Sequence, residues 1–233
     1  MERTVRAELL DSLPPEDSQA RGSRDDLLRL NAWMGNARAA ARALQTAIHN
    51  RKPKTLADLG AGDGRFALRV AQSLPASWKS THLLMVDQQA TVSADTHRGF
   101  ERMGWTSKAV RADVLQWMEE STLDAGGTMM ANLFLHHFTD PQLRRLFVSA
   151  SRRARVFVAV EPRRSPWALF FSLLVGCIGC NRVTRHDAPV SVRAGFTGRE
   201  LSSLWPADEG WDLTERPVGW FGHLFMARNL QPT

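Results

Sequence analysis

The chain has 233 residues, a hydrophobic fraction of 43% and eight tryptophans, which is enough to bury one core and too little for two comparable domains. Its two cysteines, Cys177 and Cys180, exclude a disulfide framework and lack the second Cys/His pair of a tetrahedral metal site, so no metal is expected. The net charge of +6 and pI near 10.3 come from dispersed arginines with no basic block, which argues against nucleic-acid binding.

Residues 1–23 are polar, contain Pro14-Pro15 and show no secretion signal, so they are expected as a flexible leader on a cytoplasmic protein. Leu27, Leu30, Met34, Ala37, Ala41, Leu44 and Ile48 then recur at steps of three and four. That spacing predicts one long amphipathic helix, an N-terminal cap over 24–50 that starts near Ser23 and stops before Pro53. From 51 to 233 short apolar runs alternate with helical patterns, the signature of βαβ units and a parallel sheet. Strands are expected at 55–59, 81–87, 107–112, 128–133 and 156–161, with helices at about 64–74, 91–103, 114–120 and 140–153. Two more strands, around 212–216 and 220–227, close the sheet. The expected fold is α/β: a doubly wound, Rossmann-like, seven-stranded, mostly parallel sheet with an N-terminal helical extension.

An almost wholly apolar stretch, Trp167 to Cys180, lies between Arg163, Arg164, Arg182 and Arg185 in a substrate-side insertion at about 162–198. It is shorter than the ~20 residues that span a bilayer. A core helix, a wall over an apolar substrate and peripheral membrane contact are the three readings.

The sharpest local signal is Leu56-Ala57-Asp58-Leu59-Gly60-Ala61-Gly62-Asp63-Gly64, a strand running through a glycine turn into a helix. Glycines let the backbone turn tightly beside a ligand and leave amides to face it. A dinucleotide fingerprint needs a third glycine where this chain has Arg65, which disfavours a nicotinamide cofactor. Asp87 ends the second strand, placed to accept hydrogen bonds from ribose hydroxyls, with Gln88 beside it. Asp113 follows the third strand and Val114 comes next. Each acidic residue is equally readable as a helix cap. Ligands of open α/β sheets bind beyond the strand C-termini, where these carboxylates fall.

This loop resembles the first motif of class I S-adenosyl-L-methionine (SAM)-dependent methyltransferases. Asn132-Leu133-Phe134-Leu135-His136-His137-Phe138, Glu8-Leu9-Leu10-Asp11, Asn31-Ala32-Trp33-Met34-Gly35, Arg163-Arg164-Ser165 and Asn181-Arg182-Val183-Thr184-Arg185-His186-Asp187 are similar to the quinone- and phenol-methylating branch found beside type III polyketide synthases. One departure is Val160-Glu161-Pro162, where that branch has Asn-Asp-Leu. The resemblance implies SAM as cofactor, adenine read at Asp113 and Val114, and Asn132 and Leu133 at the cofactor. It also implies a small aromatic or quinol acceptor methylated on oxygen, with carbon methylation of a polyketide or quinone ring, or a non-catalytic SAM-binding module, as alternatives. An RNA methyltransferase is disfavoured, since no Asn/Asp-Pro-Pro-aromatic run follows the fourth strand.

A phenol is mostly protonated at neutral pH, so O-methylation benefits from a base, and histidine suits that task. His136, His137 and His186 are the candidates, with Asp187 placed to orient His186. Trp33 and Trp167 are candidate aromatic walls and Arg185 a further substrate contact. Arg38 is a candidate for the SAM carboxylate, or else a solvated helix residue. The assembly is expected as monomer or homodimer.

Overall fold

The computed structural model describes residues 1–49, 52–89, 91–120, 126–207 and 210–230. The expected boundary between cap and main domain, at 50/51, falls outside them. Five parallel strands, β1 (Thr55–Leu59), β2 (His82–Asp87), β3 (Thr106–Arg111), β4 (Gly127–Asn132) and β5 (Ala154–Pro162), are joined by helices α4 (Arg65–Gln72), α5 (Ala94–Arg102), α6 (Val114–Glu120) and α7 (Asp140–Arg153). With β6 (Trp211–Val218) and β7 (Gly222–Asn229) they form one seven-stranded sheet in the order β3-β2-β1-β4-β5-β7-β6. β7 is antiparallel to both β5 and β6. The order reverses between β1 and β4, which opens a crevice at their C-terminal ends.

Burial follows the strand sequences. β1, β4 and β5 lie inside the sheet and are apolar almost throughout, whereas edge strand β3, Thr-Ser-Lys-Ala-Val-Arg, is largely exposed. Alternate residues feed two cores. Leu56, Val156 and Val158 face the layer holding Leu44, Trp78 and Phe100; Ala57, Leu59 and Phe157 face the layer holding Leu146, Phe147 and Phe225.

The N-terminal cap departs from the expected single helix. It is two helices, α2 (Ser18–Met34) and α3 (Asn36–Ala47), broken at Gly35, whose φ of 73° is left-handed and ends α2. The cap residue is Asp17, not Ser23; its side chain accepts from the Gln19 and Ala20 N–H groups. Periodicity carried across the break because Gly35 replaces one helical residue without shifting the apolar stripe.

Residues 1–23 are not the loose leader that their polarity suggested. Thr4 N–H donates to Arg193 O, Arg3 donates to Ala194 O and Phe138 O, and the short helix α1 (Leu9–Ser12) hangs on Asp187, whose carboxylate accepts the Leu9 and Leu10 N–H groups. Polar composition missed this because the segment is fixed by hydrogen bonds instead of apolar burial. Between β5 and β6 come α8 (Pro166–Leu173), α9 (Arg182–Ala194) and α10 (Glu200–Leu204). Helix α9 binds α2 through Thr184, which donates to Asp26, and through Asn181 N–H to the same carboxylate.

Candidate functional site

A cavity of about 380 Å³ lies over the C-terminal ends of β1, β2 and β4 and is covered by α2 and α1, a volume in the usual range for small-ligand sites. Asp58, Gly60, Ala61, Gly62, Asp87, Gln88, Asp113, Val114, Asn132, Leu133 and His137 all line it. Gly64 does not. It starts α4 with a φ of 74°, and a Cβ there would meet Met85 Sδ at 2.6 Å.

The glycine loop is built for shape. Gly60 and Gly62 have φ of 71° and 55°, and a Cβ on Gly60 would stand 2.1 Å from the Phe134 ring. The expectation that loop amides face a ligand is not met. Gly60 and Ala61 N–H donate to Val86 O, Gly62 N–H donates to Asp87, and Gly64 N–H donates to Ala61 O. Those donors are spent inside the protein, so the loop offers close approach in place of an anion-binding nest.

Asp87 therefore has two internal partners, Gly62 N–H at 2.9 Å on one oxygen and Gln89 N–H at 2.8 Å on the other. Asp113 accepts from Gln116 N–H at 3.0 Å, capping α6, and from the Gln88 amide at 2.8 Å, so capping and cavity lining coexist. Asn132 Oδ1 is buried with no hydrogen-bond partner, an acceptor available to a ligand donor since such groups are costly to leave unmet. Leu133 holds a φ of 49°, strained for a non-glycine residue. Asp58 is fully buried, and burial, followed by the charge of Asp87, pushes its carboxyl well above the ordinary range.

The three histidines separate sharply. His136 is buried; Nδ1 lies 2.8 Å from Glu161 and Nε2 lies 3.2 Å from Glu8. Burial works against the charged ring, but those two carboxylates outweigh it and raise His136 to about 9. Burial likewise opposes ionisation of Glu8, yet the hydrogen bond and charge of His136 bring it down to about 2. Both ring nitrogens of His136 thus carry protons and neither is free to accept one. His137 lines the cavity, with Nδ1 3.0 Å from Asp11 and Nε2 3.8 Å from Glu8. His186 is half exposed, pairs with Asp187 at 2.8 Å and does not line the cavity. Glu8, His136 and His137 place donor atoms within 4.8 Å of one another, a spacing that the ion pair of Glu8 and His136 accounts for.

Four other sequence candidates lie away from the cavity. Arg38 is an exposed residue of α3, Trp33 is 69% exposed and stacks on Phe221, Trp167 is 68% exposed, and Arg185 is exposed beside Gly176. Arg24, not Arg38, is the cavity's guanidinium; it donates to Gln89 and to Pro15 O. The sequence reading also gave no role to Glu8, Asp11, Asn31 or Glu161. Glu161 is the surprise at the departing corner: its carboxylate accepts from the Phe134, Leu135 and His136 N–H groups at 3.0, 2.9 and 3.3 Å. A glutamate in an otherwise apolar strand end was the available signal.

No protein-family model matches the sequence, and no curated protein is significantly similar to it. Solved structures are similar in fold. The plantazolicin methyltransferase BpumL in complex with SAH aligns with a TM-score of 0.62 at 12% identity over 92% of this chain and 91% of that one. The pyocyanin biosynthetic protein PhzM gives 0.58 at 16% over 92% of this chain and 59% of that one. Human N-acetylserotonin methyltransferase in complex with SAM gives 0.56 at 14% over 95% and 61%. The chain thus spans about three-fifths of the length of the last two. The strand order, the reversed β7 and these alignments establish the fold as that of the class I methyltransferases.

Proposed function

We propose that the protein is a SAM-dependent methyltransferase that acts on the hydroxyl of a small aromatic or quinol acceptor. The observation that carries this reading is the charge of the cavity. Its lining holds the carboxyls of Asp11, Asp87 and Asp113, with Glu8 and Asp63 offset by His136 and Arg65 and Asp58 buried, against the guanidinium of Arg24. Such a surface repels a pyrophosphate and favours a ligand with a fixed positive centre. A sulfonium nucleoside fits it: Asp87 and Gln88 stand where ribose hydroxyls would be held, Asp113 and Val114 at the base, and buried Asn132 Oδ1 offers an acceptor to the ligand's ammonium. Two of the structures similar in fold are complexes with SAH or SAM, and a third is an O-methyltransferase family protein from Burkholderia thailandensis.

SAM, when bound, supplies a methyl group already activated by the sulfonium charge. The protein has then to orient the acceptor, exclude water and take one proton from its hydroxyl. His137 is placed for the last task. Asp11 lies 3.0 Å from Nδ1, and Nε2 stands beyond hydrogen-bond distance of Glu8, leaving a ring nitrogen for the acceptor's proton. His136 has the supporting part of fixing the turn that carries His137. Phe134 and Phe138, which meet edge to face at 5.0 Å, give the cavity an aromatic wall next to that base.

The test is incubation with methyl-labelled SAM and a panel of quinols, alkylresorcinols and polyketide phenols, read by product mass and fragmentation. A labelled O-methyl product supports the reading. Label on ring carbon redirects it to carbon methylation, and no product from any phenol contradicts it.

A further inference from the structure

The apolar insertion has its residues arranged opposite to those of a core helix. In α8 the small residues Ala168 and Ser172 pack inward, while Trp167, Phe170 and Leu173 are exposed, as are Leu174 and Ile178 in the turn that follows. The exposed rings are connected: Trp167 meets Phe170, Phe170 meets Phe171, Phe171 meets Phe221, and Phe221 stacks on Trp33, with centroids 5.3 to 6.5 Å apart. Trp220, next to Phe221, is 69% exposed. Among the described residues, seven of the eleven exposed large hydrophobic residues belong to this one surface, and a contiguous apolar patch of that kind marks an interaction site.

Basic side chains stand beside the same surface. Arg182 and Arg185 are exposed at the start of α9, Arg185 lies against the turn at Gly176, and Arg163 precedes α8; none of the three has an ion-pair partner among the described residues. Among the described residues, no helix is long and apolar enough to cross a membrane.

We infer that the α8 face docks on the surface of an anionic lipid bilayer, with Trp167, Phe170, Leu174 and Ile178 entering the interface and Arg163, Arg182 and Arg185 at the headgroups. Tryptophans at the rim with basic residues beside them suit the boundary between acyl chain and headgroup. A protein partner would be met by apolar area alone, whereas Arg163, Arg182 and Arg185 add attraction for a negative surface. Helix α2 ties the face to the cavity: Trp33 lies in the ring series, and Leu27, Leu28 and Asn31 of the same helix line the cavity. An acceptor dissolved in lipid would thus meet the protein close to its site. The docking itself does not depend on the methyltransferase reading.

The experiment is sedimentation of the full chain with vesicles of phosphatidylcholine alone and of phosphatidylcholine mixed with phosphatidylglycerol, at low and high salt. Binding to the mixed vesicles, weakened roughly tenfold or more in Arg182→Gln/Arg185→Gln and by salt, is expected. Trp167→Ser/Phe170→Ser/Ile178→Ser, all exposed sites, should lose binding with an unchanged Tm and unchanged SAM titration in vesicle-free buffer. Failure of the wild-type chain to sediment with either vesicle overturns the inference. So does a vesicle-free dimer, seen by analytical ultracentrifugation, that the apolar triple variant dissociates. A failed SAM titration with intact vesicle binding would sink the functional reading alone.

Discussion

Glu161 holds His136 twice, accepting from its backbone N–H at 3.3 Å and from Nδ1 at 2.8 Å, while its other oxygen accepts the N–H groups of Phe134 and Leu135. One buried carboxylate therefore sets the whole turn that leaves β4. Glu161→Gln keeps the shape but leaves a buried imidazolium short of one charge. A loss of about 3–5 kcal/mol of stability is expected, by urea denaturation. A loss below about 1 kcal/mol would show that the turn is held by other contacts.

The same cluster makes stability depend on pH at both ends. Its folded-state value near 9, above the ordinary 6.5, means that the contribution of His136 is complete below 6.5 and lost as pH rises through about 9. Glu8 works the other way: with a folded value of about 2 against an ordinary 4.5, its contribution is complete above 4.5 and lost as pH falls through about 2. Denaturation midpoints should fall on the alkaline side between these His136 values, and Glu8→Gln should flatten both limbs. Stability that climbs from pH 7 to 9 would contradict the charge assignment.

Gly60 and Gly62 share a left-handed backbone but not their surroundings. Gly62→Ala meets no atom within 4 Å and should cost only the backbone strain, about 1–2 kcal/mol. Gly60→Ala drives a methyl group into Phe134 and should either prevent folding or displace the 134–137 turn with loss of ligand binding. Equal thermal shifts for the two variants would deny that Phe134 packs on the loop.

Much of the architecture was legible because its signals are local. The buried strands were visible as apolar runs, polar edge strands β3 and β6 by their place in the alternation, and Asp58, Asp87 and Asp113 reached one cavity because each sits at or near a strand end, where topology decides position. What stayed hidden is long-range. Nothing near Glu8 in sequence announces a partner 128 residues away, and the polar first turn around Asp11 looks like solvated chain until α1 is pinned by Asp187. Trp33 and Trp167 fall outside the cavity lining for a different reason: α8 turns its large residues out, and Trp33 of α2 stacks on Phe221 at that same surface.

The three histidines now carry distinct expectations. If His137 is the base proposed, His137→Ala should lower turnover by ~10²–10⁴-fold while SAM affinity stays within a few fold. His186→Ala should leave turnover unchanged, since that ring lies outside the cavity. Steady-state kinetics on the accepted phenol, paired with calorimetry, separates the two effects. Full activity in His137→Ala would move the proton to solvent or to another group.

The central claim is that an acidic, glycine-floored cavity takes a sulfonium nucleoside. Calorimetric titration of the wild-type chain with SAM, with NAD as the comparison, tests it most directly. Saturable one-to-one binding of SAM and no heat with NAD is the predicted result. Absence of any heat or thermal shift with SAM, or tighter binding of NAD, would contradict the account.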